Sequence, residues 1–305
     1  MSTLVIVNPV SGGRRRGLTW EQRLRIARAA LDRHGDGGRV VMTEHAGHAH
    51  ELARCGVAEG RRAVVAWGGD GTINEVASAV ADTDVALGVV PAGSGNGLAR
   101  ELRLPRSPVE ALDIAFAGSE RLIDAGRVNG HWFVNIAGVG FDAAMAEAFN
   151  ALGQQIRGPV RYVLSVARAG FTYQPVEYHI DVDGRHIRVH ALLVALANLR
   201  QYGINAVIAP AARPDDGAMD LVIVESRGIL GRLALVPRLF NRTIHRAPRV
   251  TILPARRVTI RAAQPMVFHC DGETWTAPDR VEAVTHPGAL RIRVAAGAET
   301  SVNHA

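Results

Sequence analysis

The chain has no lysine; all 35 of the basic side chains in its 305 residues are arginine. That absence excludes a Walker A phosphate loop, Schiff-base chemistry through a lysine amine, and the protein-kinase fold with its strand lysine. Any phosphate must then be met by backbone N–H groups, arginine or a metal. Cysteine is scarce as well. Cys55 and Cys270 are far apart and outside any C-x-x-C spacing, so neither a disulfide framework nor a thiolate metal cluster is indicated, and both thiols are expected to be buried and inert. No run approaches the roughly 18 consecutive apolar residues of a membrane span, and no basic region precedes the short apolar run near the N-terminus. A cytoplasmic protein is expected. Aromatic residues make up only 5% and form no nucleic-acid-binding module, so the net charge of +6 is not read as a nucleic-acid signature. Acid, finally, is missing from one stretch: between Glu225 and Asp271 stand nine arginines, from Arg227 to Arg261, and no Asp or Glu. Within it, "ILGRLALVPRLFNR" mixes leucine and phenylalanine with arginine. That mixture fits a segment lying on an anionic membrane, and equally a core helix with a solvated basic edge.

The residues that are present alternate in period. With 48% apolar residues, the chain is long enough for two medium domains. Its first third predicts strands over 4–7, 40–42, 63–67 and 85–90, separated by helices over 21–34, 46–54 and 73–81. Strand–helix alternation with short loops predicts a parallel sheet with flanking helices, which binds ligands at the carboxyl ends of its strands. From about residue 121 the pattern changes. Asn129-Gly130 and Asp183-Gly184 are type I′ hairpin signals, and strands are predicted over 192–197, 219–224, 257–260, 265–269 and 290–294. A mostly antiparallel second domain is expected from about residue 125.

Three Gly/Ser/Asn-rich loops follow predicted strands: "NPVSGG" at 8–13, "GGDGT" at 68–72 and "PAGSGNGLAR" at 91–100. Glycines let backbone approach a ligand closely and adopt φ > 0, and the helices that follow aim free N–H groups and positive dipole at it. Together the loops predict a nucleotide polyphosphate site. Asp70 would repel phosphate unless Mg²⁺ or water lies between, and a turn aspartate bonding its own backbone explains it too. Thr72 and Glu75 match a capping box, so Glu75 is read as structural or catalytic.

These motifs, followed by "NIAGVGFDA" and "DGE" at 271–273, resemble the diacylglycerol kinase catalytic family, including bacterial YegS-like lipid kinases and sphingosine kinases. The resemblance covers nearly the whole chain. It implies an α/β domain over 1–125, like that of NAD kinases and phosphofructokinases, to which 287–305 returns, and a β-sandwich lipid-substrate domain over 126–286. It implies ATP and Mg²⁺ as cofactors and transfer of the γ-phosphoryl group to a lipid hydroxyl. Carried over by position, it places ATP on Asn8, Pro9, Ser11, Gly12, Thr43, Gly68, Gly69, Asp70, Gly71, Thr72, Asn74 and Ser94, with Glu75, Gly93 and Asn96 completing the candidate set. Asp271 matches the family's general base, with Glu273 the second candidate and a plain Asp-Gly turn the structural alternative. Cys270 stands where many relatives have Gly. "APAARPDDGAMDL" matches a segment binding a structural Mg²⁺ through the Asp216 carboxylate and the carbonyls of Arg213 and Ala218, although a hairpin turn explains the same residues. Asp124 and Asn135 are further candidates.

The expected partner is a lipid at the inner face of a membrane, met through residues 227–261; an exposed sheet edge leaves a homodimer open. An NAD kinase and a non-catalytic nucleotide- or lipid-binding module are the alternatives, and the identity of the acceptor lipid stays open.

Overall fold

The computed structural model describes residues 2–12, 18–151, 173–203, 205–225, 228, 231–232 and 234–297. The chain divides into two compact units, Met1–Ile123 with Gly288–Ala305, and Asp124–Pro287.

In the first unit, strands β1 (Thr3–Val7), β2 (Arg39–Met42), β3 (Ala63–Gly68) and β4 (Ala86–Pro91) alternate with helices α1 (Trp20–Arg33), α2 (His48–Ala58) and α3 (Asp70–Val80); α4 (Gly97–Glu101) and α5 (Pro108–Ala117) follow. The strands lie in the order β2–β1–β3–β4 and are all parallel. Ile292 of the last strand, β15 (Arg280–Val294), joins the far side of β4, again in parallel. Every residue of β1 and β3 is buried, which is why their sequences read as continuous apolar runs: helices cover both faces. Val5, Val7 and Val65 pack with Ala27, Leu31, Leu112 and Phe116 from α1 and α5. The alternate residues Leu4 and Val64 point the other way and touch Gly56 of α2. α1 starts at a capping box between Thr19 and Gln22, and Gly35 closes it at φ +58°. The Cys55 thiol departs from expectation, for it lies on the exposed side of α2.

The second unit is antiparallel. After β5 (Ser119–Val128) come β6 (His131–Phe133), β7 (Ile136–Gly140), α6 (Phe141–Ala151), β8 (Val176–Val182), β9 (Arg185–Ala197) and β10 (Met219–Glu225). Then follow α7 (Val236–Phe240), a 3₁₀ turn (Ile244–Arg246), β11 (Val250–Ala255), β12 (Arg257–Arg261), β13 (Met266–Cys270) and β14 (Glu273–Ala277). Thirteen-residue β9 holds the unit together. Its first half pairs with β8, while residues 193–197 pair with β7 on one side and β10 on the other. Alternate residues on one face, including Tyr178, Ile180, Leu221, Val258 and Phe268, form one apolar core. Opposite faces, with Ile136, Ala195 and Val222, form a second core closed by Leu235 and Ile244. Both expected hairpins are present: Asn129-Gly130 and Asp183-Gly184 have positive φ at both positions.

The basic stretch is not one segment. Residues 226, 227, 229, 230 and 233 lie outside the described residues, α7 is a single short turn of helix, and Arg256, Arg257 and Arg261 belong to β11 and β12 or the turn joining them. Leu235 and Leu239 face the core, while Val236 and Phe240 are 39% and 47% exposed. Among the described residues, no helix is long and apolar enough to cross a membrane.

Candidate active site

The three glycine-rich loops leave the carboxyl ends of β1, β3 and β4, adjacent strands of the first unit, and are bonded to one another. Asn8 ties the first to the second: its Nδ2 donates to Thr72 Oγ1 at 2.9 Å, and its own N–H donates to Trp67 C=O. Asp70 ties the second to the third, since its carboxylate accepts the Asn96 N–H at 2.8 Å and the Gly97 N–H at 2.7 Å. Gly12, at φ +82°, lets the first lie close against the third, for a Cβ there would stand 2.8 Å from Ala92 O. Gly69 and Gly93 meet backbone to backbone; a Cβ on Gly93 would lie 2.7 Å from Gly69 Cα. Thr43 donates its N–H to Val7 C=O and so sits beside the end of β1.

Two expectations about these loops need correcting. No positive φ occurs at Gly68, Gly69 or Gly71. What demands glycine at 68 and 69 is space, for a Cβ at 68 would collide with Thr72 and one at 69 would press on Gly93. The capping box at Thr72 and Glu75 does not form either, because α3 begins at Asp70 with Gly69 as its N-cap. Glu75 caps a different helix: its carboxylate accepts the N–H groups of Gly47 and Ala49, both at 3.0 Å, at the start of α2. Asp70 likewise bonds distant backbone and not its own turn.

Sequence reasoning missed Arg23. Only 3% exposed, it reaches from α1 to hold the first loop, donating to Asn8 O at 2.6 Å, Ser11 Oγ at 2.7 Å and Ser11 O at 2.5 Å. Burial pulls its pKa below the usual guanidinium value, and its Nε is buried without a partner. The helical period marks position 23 for the core, and an arginine at a core position is the signal that was available. A cavity of about 410 Å³ lined by Gly12, Arg23, Gly93, Ser94 and Asn96 also receives Arg100 and Arg106. Pro9 and Asn74 lie within the first loop and within α3, beside these contacts.

In the second unit Asp271 and Gly272, at φ +50° and +93°, form the tight hairpin joining β13 to β14. The turn is also a built anion site. Asp271 Oδ2 accepts the Val134 N–H at 2.7 Å, and Oδ1 accepts those of Asn135 and Ile136, both at 2.9 Å. Burial raises the carboxyl to about 6 against those three bonds and the His269 charge, which lower it. Asn198, also missed from the sequence, donates to Asp124 O and Val134 O and so holds the donor segment in place. Cys270 is fully buried, and burial pushes its thiol up. Glu273 begins β14 and is exposed.

Residues 2–128 match the family model described as the diacylglycerol kinase catalytic domain, and residues 135–294 match that of the YegS C-terminal NAD kinase beta sandwich-like domain. A diacylglycerol kinase of Mycobacterium tuberculosis is 31% identical over 297 residues, covering 94% of this chain and 93% of its own. The chain belongs to the diacylglycerol kinase family. A YegS-like lipid kinase of Chromohalobacter salexigens is 30% identical, covering 85% of this chain and 84% of its own. At the level of fold, a diacylglycerol kinase structure from Bacillus anthracis aligns with TM-score 0.75 at 20% identity, covering 97% of this chain and 98% of that one. The protein is therefore a lipid kinase, and its family implies the use of a nucleotide.

The remaining candidates of this diacylglycerol kinase family member cluster in the turn before β10. Asp216 Oδ1 accepts the Ala218 N–H at 3.2 Å, and Asp124 Oδ2 accepts the Gly217 N–H at 2.7 Å. Asp220, missed from the sequence, has a buried Oδ2 without a partner, and burial together with Asp216 raises its carboxyl to about 6. An all-oxygen set with an orphaned carboxylate oxygen fits a hard cation.

Proposed function

We propose that the protein transfers the γ-phosphoryl group of ATP to the hydroxyl of a diacylglycerol-like or sphingoid lipid, with Asp271 as general base. The observation carrying this reading is the Asp271 carboxyl, held rigid by three backbone N–H groups and lifted by burial to about 6. Such a group is ionised at neutral pH, yet basic enough to accept a proton. As the lipid oxygen bonds to the γ-phosphorus and the bridging P–O bond breaks, the hydroxyl proton passes to Asp271 and the electron pair leaves with ADP. Backbone N–H groups of the three loops, with Arg23, Arg100 and Arg106, would hold the phosphates. Mg²⁺, when bound, neutralises phosphate charge, and a structural ion would be held by Asp216, the carbonyls of Arg213 and Ala218, and Asp220.

The acceptor is met at the inner face of a membrane. Val236 and Phe240, exposed one helical turn apart on α7, lie in the acid-free arginine stretch and suit an anionic lipid surface. The edge strands β2, β11 and β14 are where a homodimer would form.

The test is transfer of labelled γ-phosphate from Mg-ATP to a panel of lipids in mixed micelles, with NAD as a further acceptor. One lipid should be labelled, and Asp271→Asn should lose about 10²–10⁴ in rate while still binding ATP. Labelling of NAD and no lipid, or an unchanged rate in Asp271→Asn, would overturn the reading.

A further inference from the structure

Val134 and Asn135 interrupt the run from β6 to β7. Along a regular strand successive N–H groups point to opposite sides. Here three consecutive ones, from Val134, Asn135 and Ile136, meet on the single Asp271 carboxylate at 2.7, 2.9 and 2.9 Å. The interruption allows this, and it has a consequence on the other side. A trans peptide sets its C=O opposite its N–H, so the carbonyls of Val134 and Asn135 both point away from the carboxylate and need donors of their own.

The residues just beyond β9 supply those donors. Asn198, only 1% exposed, donates its Nδ2 to Val134 O at 2.9 Å and its N–H to Asn135 O at 3.0 Å, and the Leu199 N–H joins on Asn135 O at 3.1 Å. Both peptides are therefore held at both ends. The 134–135 peptide has its carbonyl on the Asn198 side chain and its N–H on Asp271. The 135–136 peptide has its carbonyl on the Asn198 and Leu199 backbone, and its N–H on Asp271 as well. The third donor, the Val134 N–H, follows Phe133, which β6 pairs with Gly126.

Asparagine suits this position by its chemistry. Its Nδ2 carries two hydrogens on one short arm, and both are used, the second on Asp124 O at 2.8 Å. Serine offers one donor, aspartate none, and glutamine holds its pair one carbon further out. Packing alone does not account for the residue, because Asn198 Oδ1 is buried with no partner, a loss that an apolar side chain of similar volume would avoid. Resting on the assignment of Asp271 as the base, we infer that Asn198 is a positioning residue for phosphoryl transfer: its side chain turns the 134–135 peptide so that the Asn135 N–H holds the Asp271 carboxylate in the orientation that receives the lipid hydroxyl proton.

The test sets the full chain beside Asn198→Ser, which keeps one donor, and Asn198→Leu, which keeps none, by residue-resolved amide hydrogen exchange and steady-state lipid phosphorylation. The side chain grips only the first of the two peptides. The Asn135 N–H should therefore exchange about tenfold faster in Asn198→Ser and faster still in Asn198→Leu, while the Ile136 N–H, held through backbone, keeps its protection. In the same order kcat should fall about tenfold to a hundredfold, with KM for ATP unchanged. A merely structural asparagine predicts that both amides lose protection together and that kcat per folded molecule stays the same. That pattern, or unchanged Asn135 exchange, overturns the proposal. Should Asn198→Leu fail to fold, Asn198→Ser carries the comparison. Should both fail, the unsubstituted protein decides: an Asn135 N–H that exchanges as freely as those of exposed turns sinks the idea, and a protected one supports it. Asp271→Asn separates the two readings. If it retains transfer, the base assignment itself fails; if it is inactive while Asn198→Ser keeps its full kcat, only the positioning role fails.

Discussion

Each unit carries an Asp-Gly pair just beyond a strand, Asp70-Gly71 after β3 and Asp271-Gly272 after β13, and the two pairs work by different physics. Asp70 opens a helix, and its carboxylate reaches across to the N–H groups of Asn96 and Gly97. A Cβ added to Gly71 beside it would meet nothing within 4 Å. Asp271, by contrast, is half of a hairpin in which both residues need positive φ, and its carboxylate gathers three N–H groups from the segment leading into β7. In the first unit aspartate braces one loop against another, and glycine at 69 and 93 permits the approach. In the second, glycine permits the turn itself. The same dipeptide therefore says nothing about role until its backbone and its distant partners are known.

Acid should expose the difference most strongly. If Asp271 is the base, kcat/KM falls about tenfold per pH unit below 6. Its effect on stability has the opposite sign. The folded-state pKa of about 6 lies above the ordinary carboxylate value, so the folded protein holds the proton more tightly than the unfolded chain. The stabilisation is fully present below about pH 4 and is lost as pH rises through 6, at most on the order of 3 kcal/mol. Denaturant melts from pH 4 to 7, set beside a pH–rate profile, check both signs.

Gly93→Ala comes next. Its Cβ would meet Gly69 Cα at 2.7 Å, backbone against backbone, so the loops must part. Nucleotide affinity should fall about tenfold, and stability by about 1–3 kcal/mol. Calorimetric titration with ATP and a thermal melt read the two. Asp70→Asn should cost somewhat less, about 1–2 kcal/mol, because an amide NH₂ then faces one of two backbone donors. Equal melting of variant and unsubstituted protein would show that the brace contributes nothing. Smallest is Gly71→Ala, which meets open space at the start of a helix and should stabilise by up to about 0.5–1 kcal/mol. A loss of nucleotide binding in that variant would mean that ligand itself requires glycine at 71.

Much of this was legible in the residues. Continuous apolar runs predicted β1 and β3, the 3.6-residue period predicted α1, and the Asn-Gly and Asp-Gly dipeptides predicted both hairpins, because burial of both strand faces, burial of one helix face and turn backbone geometry each mark the sequence locally. Asp271-Gly272 was weighed as a turn for the same reason, and it is one. Less legible were contacts made over long chain separations: Arg23 holding the first loop, Asn198 linking Asp124 to Val134, and Glu75 serving α2 when the local pattern T-x-x-E assigned it to its own helix. Cys55 was expected inside and lies outside, since a lone cysteine has no periodic neighbour to mark its face.

What the sequence determined by itself was the kind of protein: a parallel sheet followed by an antiparallel one, loops rich in glycine at strand ends, and the ordered motifs of one kinase family. Those are properties of local backbone preference and of spacing along the chain. Tertiary structure alone decided which glycine meets which backbone, which aspartate braces and which is desolvated, and that an asparagine just beyond β9 holds a peptide whose N–H meets the proposed base. Burial and hydrogen bonding between residues far apart in sequence set those roles, and neither is written in any single stretch of it.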